Sequence, residues 1–177
     1  MQISMPFITH NQLLMFQKIA PDDRELSARL HFDNKGALKR VALSEGEVCV
    51  SGRCGVRPCN GGVCMHTHPR GNRVSSADFR VAIEAALAKQ RTHSIVIAPG
   101  GVFSYKPSQQ LLSRWDRLEP HQKEEMTQEW KRVGAELQAE TQRGEMANFM
   151  EFASAVGMQM EYVPWEKVSA GGELWLA

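Results

Sequence analysis

The chain has 177 residues, enough for one domain with a substantial core and no more than one domain needs. Hydrophobic residues make up 42% and charged residues 23%, ordinary for a globular protein, and 21 Lys and Arg stand against 20 Asp and Glu. That balance excludes an electrostatic case for nucleic acid or an anionic membrane as partner, and no apolar run approaches the length of a membrane span.

The opening, MQISMPFITHNQ, lacks a charged start followed by a long apolar core, so no secretory signal is expected, and the compartment is expected to be cytoplasmic and reducing. HNQLLMFQKIAP reads as a short helix carrying Leu13, Leu14, Phe16 and Ile19, stopped by Pro21. Strands follow. Leu26, Ala28, Leu30 and Phe32 alternate, DNKG is a turn, and LKRVAL and EVCV are two further strands with SEG turning between them. GVCMHTHP is another short strand. A helix starts at Ser75 or Ser76 and runs through ADFRVAIEAALAKQR, with Phe79, Ile83 and Leu87 on one face. HSIVIAP and VFSYKP are strands joined by a glycine turn.

Beyond Pro107 the pattern turns helical. SQQLLSRWDRL forms one helix. In the next, Met126, Trp130, Val133 and Leu137 recur at helical spacing, Gly144 interrupts, and EMANFMEFASAVG forms a third with Gly157 as its C-cap. MQMEYVPW closes as a strand. The expectation is one α/β domain over residues 1–177: a motif-bearing core at about 10–106, then C-terminal helices and a closing strand at 108–165.

Four cysteines fall at 49, 54, 59 and 64. A hairpin turning about Val56 and Arg57 would set Cys49 against Cys64 and Cys54 against Cys59, one pair on each face. Reduced thiols, two cross-strand disulfides and a structural zinc are all open readings, the first fitting a reducing compartment.

The chemistry concentrates in CMHTHPRGNRVSSADF. His66 and His68 are i and i+2 on a strand, so both imidazoles point to one face, the simplest way to offer one metal ion two nitrogen ligands. Pro69 ends the strand. Asp78, in the first turn of the next helix, can return a carboxylate to the same ion. Two His and one Asp leave a fourth tetrahedral position for water, the pattern of a catalytic zinc. Ser-x-x-Asp ahead of an apolar run is also a helix-capping pattern, and H-x-H on a strand can be incidental; it is their order and context that join them. There is no H-E-x-x-H, no G-x-S-x-G and no phosphate-binding glycine loop. His31 reads as a strand residue, and His10, His93 and His121 as surface or capping residues.

HTHP followed by SSAD resembles the signature of the JAMM (MPN+) zinc metalloproteases, a glutamate upstream and then H-x-H-P and S-x-x-D. The resemblance covers about residues 10–106. It implies a cytidine-deaminase-like α+β fold, a curved mixed sheet flanked by helices, here with a helical C-terminal extension. It implies one catalytic Zn2+ held by His66, His68 and Asp78, with Ser75 binding the oxyanion and a glutamate as general base. Glu25, after the first helix and at the opening of the next strand, stands where the family places that glutamate; Glu45 and Glu47 are its rivals. The activity implied is hydrolysis of an amide or isopeptide bond, on ubiquitin, a ubiquitin-like conjugate or a peptide. A latent interaction module of the same fold and an amidase on another peptide substrate are the alternatives.

Two departures from the family stand out. PRGNRV puts six residues between His68 and Ser75 where seven are usual; Ser76 would restore seven, but position 79 is then Phe rather than Asp. Ala28 stands three after Glu25 where glycine is common. Cys64 shares the parity of His66 and would be a small buried hydrophobe or a further thiolate near the metal.

Overall fold

The computed structural model describes residues 4–48, 62–69, 71, 73–141 and 146–177, with 44–48 and 138–141 described by backbone alone. The cysteine hairpin expected about Val56 and Arg57, with Cys49, Cys54 and Cys59, lies outside the described residues, as does Gly144. Elements follow in the order β1 (Phe7–Thr9), α1 (His10–Ile19), β2 (Arg24–Phe32), β3 (Leu38–Val48), β4 (Val63–Thr67), α2 (Ser76–Leu87), β5 (His93–Ala98), β6 (Gly101–Pro107), α3 (Gln109–Asp116), α4 (Pro120–Thr141), α5 (Met146–Val156), β7 (Met158–Pro164), α6 (Trp165–Ser169) and β8 (Glu173–Trp175). Six strands form one mixed sheet in the order β3-β2-β4-β5-β6-β7. β2 is antiparallel to both β3 and β4, and β4 is parallel to β5. The α+β class and the mixed sheet expected from sequence are present. Among the described residues no helix is long and apolar enough to cross a membrane.

The chain divides into two compact units. The first holds β1 to β5, α1, the start of β6, the end of β7, α6 and β8. Its core is the alternating face of β2 and β4, Ala28, Leu30, Val63 and Met65, with Ile95 and Ile97 of β5 and with Leu13 and Phe16 of α1. α1 is started by a capping box, in which the Thr9 hydroxyl accepts from the Gln12 N–H and the Gln12 side chain accepts from the Thr9 N–H. β1 and β8 form a separate two-stranded sheet, with Phe7 opposite Trp175. His10, expected as a surface or capping residue, is the first residue of α1 and 9% exposed, with its backbone N–H donating to the Gly172 carbonyl.

One strand differs from expectation. SEGEV is not a turn between two strands but the interior end of β3, which runs unbroken from Leu38 to Val48. Arg24 pairs with Val48 and Leu26 with Glu45, so Gly46 and Glu47 together stand against the single residue Glu25. The glycine marks a β-bulge, where one strand carries an extra residue, rather than a chain reversal.

The second unit holds α2 to α5, the end of β6 and the start of β7. Its core is aromatic. Phe79 of α2, 1% exposed, meets the rings of Tyr105, Trp130, Phe149 and Phe152, and Trp115 stacks on Trp130 with centroids 5.7 Å apart. The helical spacing that set Phe79 and Ile83 on one face is realised in their burial, whereas Leu87, at the end of α2, is exposed. Arg80 reaches Glu84 within α2 and Glu124 of α4. Gly157, with φ of 100°, ends α5 as expected, and its carbonyl accepts from Ser108 N–H at 2.9 Å. A Cβ there would lie 2.9 Å from Leu111 Cβ. Gly157→Ala is therefore expected to cost about 2 kcal/mol or more, from left-handed backbone and the clash together, measurable as a lower urea midpoint at unchanged slope.

Candidate metal centre

Two short elements set the site. β4 is Val-Cys-Met-His-Thr, and its alternation sends Val63, Met65 and Thr67 into the first unit's core while Cys64 and His66 take the other face. His68 follows the end of the strand, tied by its backbone N–H to the Ile97 carbonyl at 2.8 Å. His66 Nε2 and His68 Nε2 are 3.0 Å apart. A tetrahedral zinc bound at about 2.0–2.1 Å to each needs a nitrogen–nitrogen separation of about 3.4 Å, so the pair has only to open by a few tenths of an ångström.

The tautomer of His68 is set by its other nitrogen. Nδ1 lies 2.8 Å from the Arg73 carbonyl oxygen, which can only accept, so Nδ1 carries the proton and donates. In the neutral ring Nε2 then has its lone pair turned toward His66. Metal-ligating histidines are held in this way by a backbone or carboxylate acceptor, which fixes both ring orientation and basicity. The Arg73 side chain is half-buried, and that burial pushes its guanidinium below its usual pKa.

α2 begins at Ser75, not Ser76. Ser75 is the N-cap, with extended backbone, and Ser76 is the first helical residue. The Asp78 N–H donates to Ser75 Oγ at 3.1 Å, while Ser75 N–H and Ser75 O–H both donate to Asp78 Oδ2, at 2.8 and 2.7 Å. The capping reading and the ligand reading are thus compatible, because both hydrogen bonds from Ser75 go to one carboxylate oxygen and orient the other. Between His68 and the cap, Gly71 takes a φ of 95°. Ser75's single O–H is committed to Asp78, so in this geometry Ser75 orients that carboxylate; service to an oxyanion would need that proton to turn away.

Along residues 66–78, one donor atom each from His66, His68 and Asp78 lies within 4.8 Å of the other two, a group that could hold a metal ion. All three side chains are half-buried.

Glu25 is half-buried on β2. The β2–β4 ladder pairs Ser27 with His66 and ends there; Glu25 lies two residues before Ser27 in the chain and His68 two after His66. Alternation places Glu25 and Ser27 on the face of His66 and His68, opposite the core face of Leu26 and Ala28. The β3 bulge at Gly46 and Glu47 stands opposite this residue. Of the rivals, Glu45 is paired with Leu26 and Glu47 lies within the bulge. Cys64 is buried, 3% exposed, on the His66 face between Arg29 and Ser94 of the flanking strands. His31 is the strand residue expected, near Arg40 at 3.3 Å; His93 opens β5 with Nε2 2.6 Å from the Ala177 carbonyl. Sequence reasoning missed Thr67 and the Arg73 carbonyl. A threonine between two histidines carries no signal of its own in the sequence, and a backbone acceptor leaves no mark in residue type. No protein-family model, curated protein or solved structure matches this chain.

Proposed function

We propose that this chain is a zinc-dependent isopeptidase or peptidase of JAMM type, cleaving an amide or isopeptide bond in ubiquitin, a ubiquitin-like conjugate or an extended peptide. The observation that carries the reading is the grouping of His66, His68 and Asp78, with the His68 tautomer set by a backbone acceptor. Two nitrogens and one carboxylate make a three-ligand donor set of the type that catalytic zinc sites use. A zinc ion there would supply Lewis acidity toward the scissile carbonyl and a water of pKa about 7.

The chain's own residues supply the rest. Arg73's carbonyl takes the Nδ1–H of His68, so that in the neutral ring the lone pair is on Nε2, and Ser75 holds the Asp78 carboxylate through Oδ2. Glu25 takes a proton from the attacking water as its oxygen bonds to the carbonyl carbon. The same proton passes to the amine nitrogen as the C–N bond breaks, giving a carboxylic acid and a free amine.

The test is zinc content by elemental analysis, wild type beside His68→Ala. One zinc per chain in the wild type and less than about a tenth of that in the variant is expected, since loss of even an outer partner of a ligand lowers affinity 10- to 100-fold. No zinc in either protein after adding it back overturns the reading. Zinc retained in His68→Ala would assign it to the cysteines instead.

A further inference from the structure

We propose that Thr67 is a positioning residue for the Glu25 carboxylate, acting through a hydrogen bond to the backbone next to it. The inference rests on the reading of Glu25 as general base beside the His66–His68–Asp78 group.

Thr67 lies between the two histidines but points the other way. Its side chain is in the core, 1% exposed, and Thr67 Oγ1 accepts the backbone N–H of Leu26 at 2.9 Å. Leu26 is the residue after Glu25. The β2–β4 ladder ends at Ser27 and His66, so beyond it the hydroxyl ties the two strands together where paired residues no longer do. On the other side of β2 the pairing with β3 shifts at this same place, with Gly46 and Glu47 against Glu25. Glu25 thus lies beyond the last β2–β4 pair, between Arg24 and Leu26, which pair with Val48 and Glu45 of β3. β4 itself stays fixed beyond this point, because His68 N–H is held by the Ile97 carbonyl. The Thr67 hydroxyl therefore links β4, the strand carrying His66, to the backbone of β2 at the residue next to Glu25.

The residue type suits the task. Thr is stiff at χ1, so its hydroxyl keeps one direction, and its methyl fills core space. Water cannot take over the role at a site this buried, since Leu26 is 8% exposed. Valine has the same shape without the acceptor. Serine keeps the acceptor without the methyl.

The test uses the full chain loaded with Co2+, whose visible spectrum reports ionisation at the metal without any substrate. The spectral midpoint is followed against pH in wild type, Glu25→Gln, Thr67→Val and Thr67→Ser. A carboxylate beside the metal disfavours a second negative charge, so Glu25→Gln is expected to lower the midpoint by about one pH unit. Thr67→Val should move it in the same direction by more than half of that amount, and Thr67→Ser should return it to the wild-type value. A Thr67→Val midpoint equal to wild type, with Glu25→Gln shifted, overturns the inference and leaves the metal reading standing. Failure of wild type to bind Co2+ or Zn2+ overturns the metal reading itself, and the inference falls with it. A measurement on the wild type keeps the question decidable if Thr67→Val does not fold. The Leu26 amide should exchange with solvent as slowly as those of Ala28 and Leu30, within about tenfold, although it lies past the end of the β2–β4 ladder. Exchange at the rate of an open loop would overturn the inference.

Discussion

Glu25→Gln is expected to lower kcat for isopeptide or peptide cleavage by about 100- to 10,000-fold while zinc content stays at the wild-type level. Glutamine has the shape of glutamate but cannot take a proton at neutral pH. Glu25 is not one of the three grouped donors, so its replacement leaves His66, His68 and Asp78 in place. The split between retained metal and lost turnover is what separates a general base from a ligand, since a ligand variant would lose both. The measurement is a single-turnover assay on a ubiquitin-like conjugate beside elemental analysis of the same preparations. Turnover within about threefold of wild type would remove Glu25 from the mechanism. Glu47, which shares the bulge with Gly46 against Glu25, would then be the next carboxylate to replace.

Phe79→Ala should be among the most damaging single changes to the stability of the second unit. The ring is 1% exposed and touches four other aromatic rings, at centroid distances of 6.1 Å to Tyr105, 6.1 Å to Trp130, 6.5 Å to Phe149 and 6.4 Å to Phe152. Large-to-small changes at such sites lose the transfer free energy of the side chain and leave a cavity, together about 3–5 kcal/mol. Against a total stability of about 5–15 kcal/mol that is a large fraction. For a chain of this length it corresponds to a fall in Tm of roughly 10–15 °C. Phe79→Leu keeps most of the volume and should cost less than half as much. Equal effects of the two variants in a thermal melt would mean that the cluster relaxes around the gap and that its ring packing contributes little. The change also bears on function, because Ser75 and Asp78 open the helix that Phe79 anchors.

Much of the candidate site was legible because it is local. His66 and His68 are two apart, the first on β4 and the second just past its end, and strand alternation read from the sequence already put both imidazoles on one face. Ser75 and Asp78 are three apart at a helix start, and capping geometry alone brings them within hydrogen-bond distance. The ambiguity between Ser75 and Ser76 was decided by the same local rule, since only Ser75 is three residues from Asp78. The elements that came through most clearly were those with a sustained period: the alternation of Leu26, Ala28 and Leu30, and the helical recurrence of Phe79 and Ile83.

What needed the tertiary structure has long sequence separation and no period. The β1–β8 sheet joins residues 7–9 to 173–175, and strands of three residues are too short to show alternation. SEGEV carries a glycine, which marks a turn or a bulge equally well; the pairing of β3 with β2 made it a bulge. His10 is polar by type and buried by its contact with Gly172. The pairing of Ser27 with His66 depends on the β2–β4 register, and the Thr67 bond to Leu26 spans 41 positions. The sequence by itself determined which donors share a short stretch of chain, because backbone period fixes neighbours a few residues apart. Only the tertiary structure decided which β2 residues pair with β4 and which backbone group the Thr67 hydroxyl meets, because register is set by the packing of whole strands and not by any single residue.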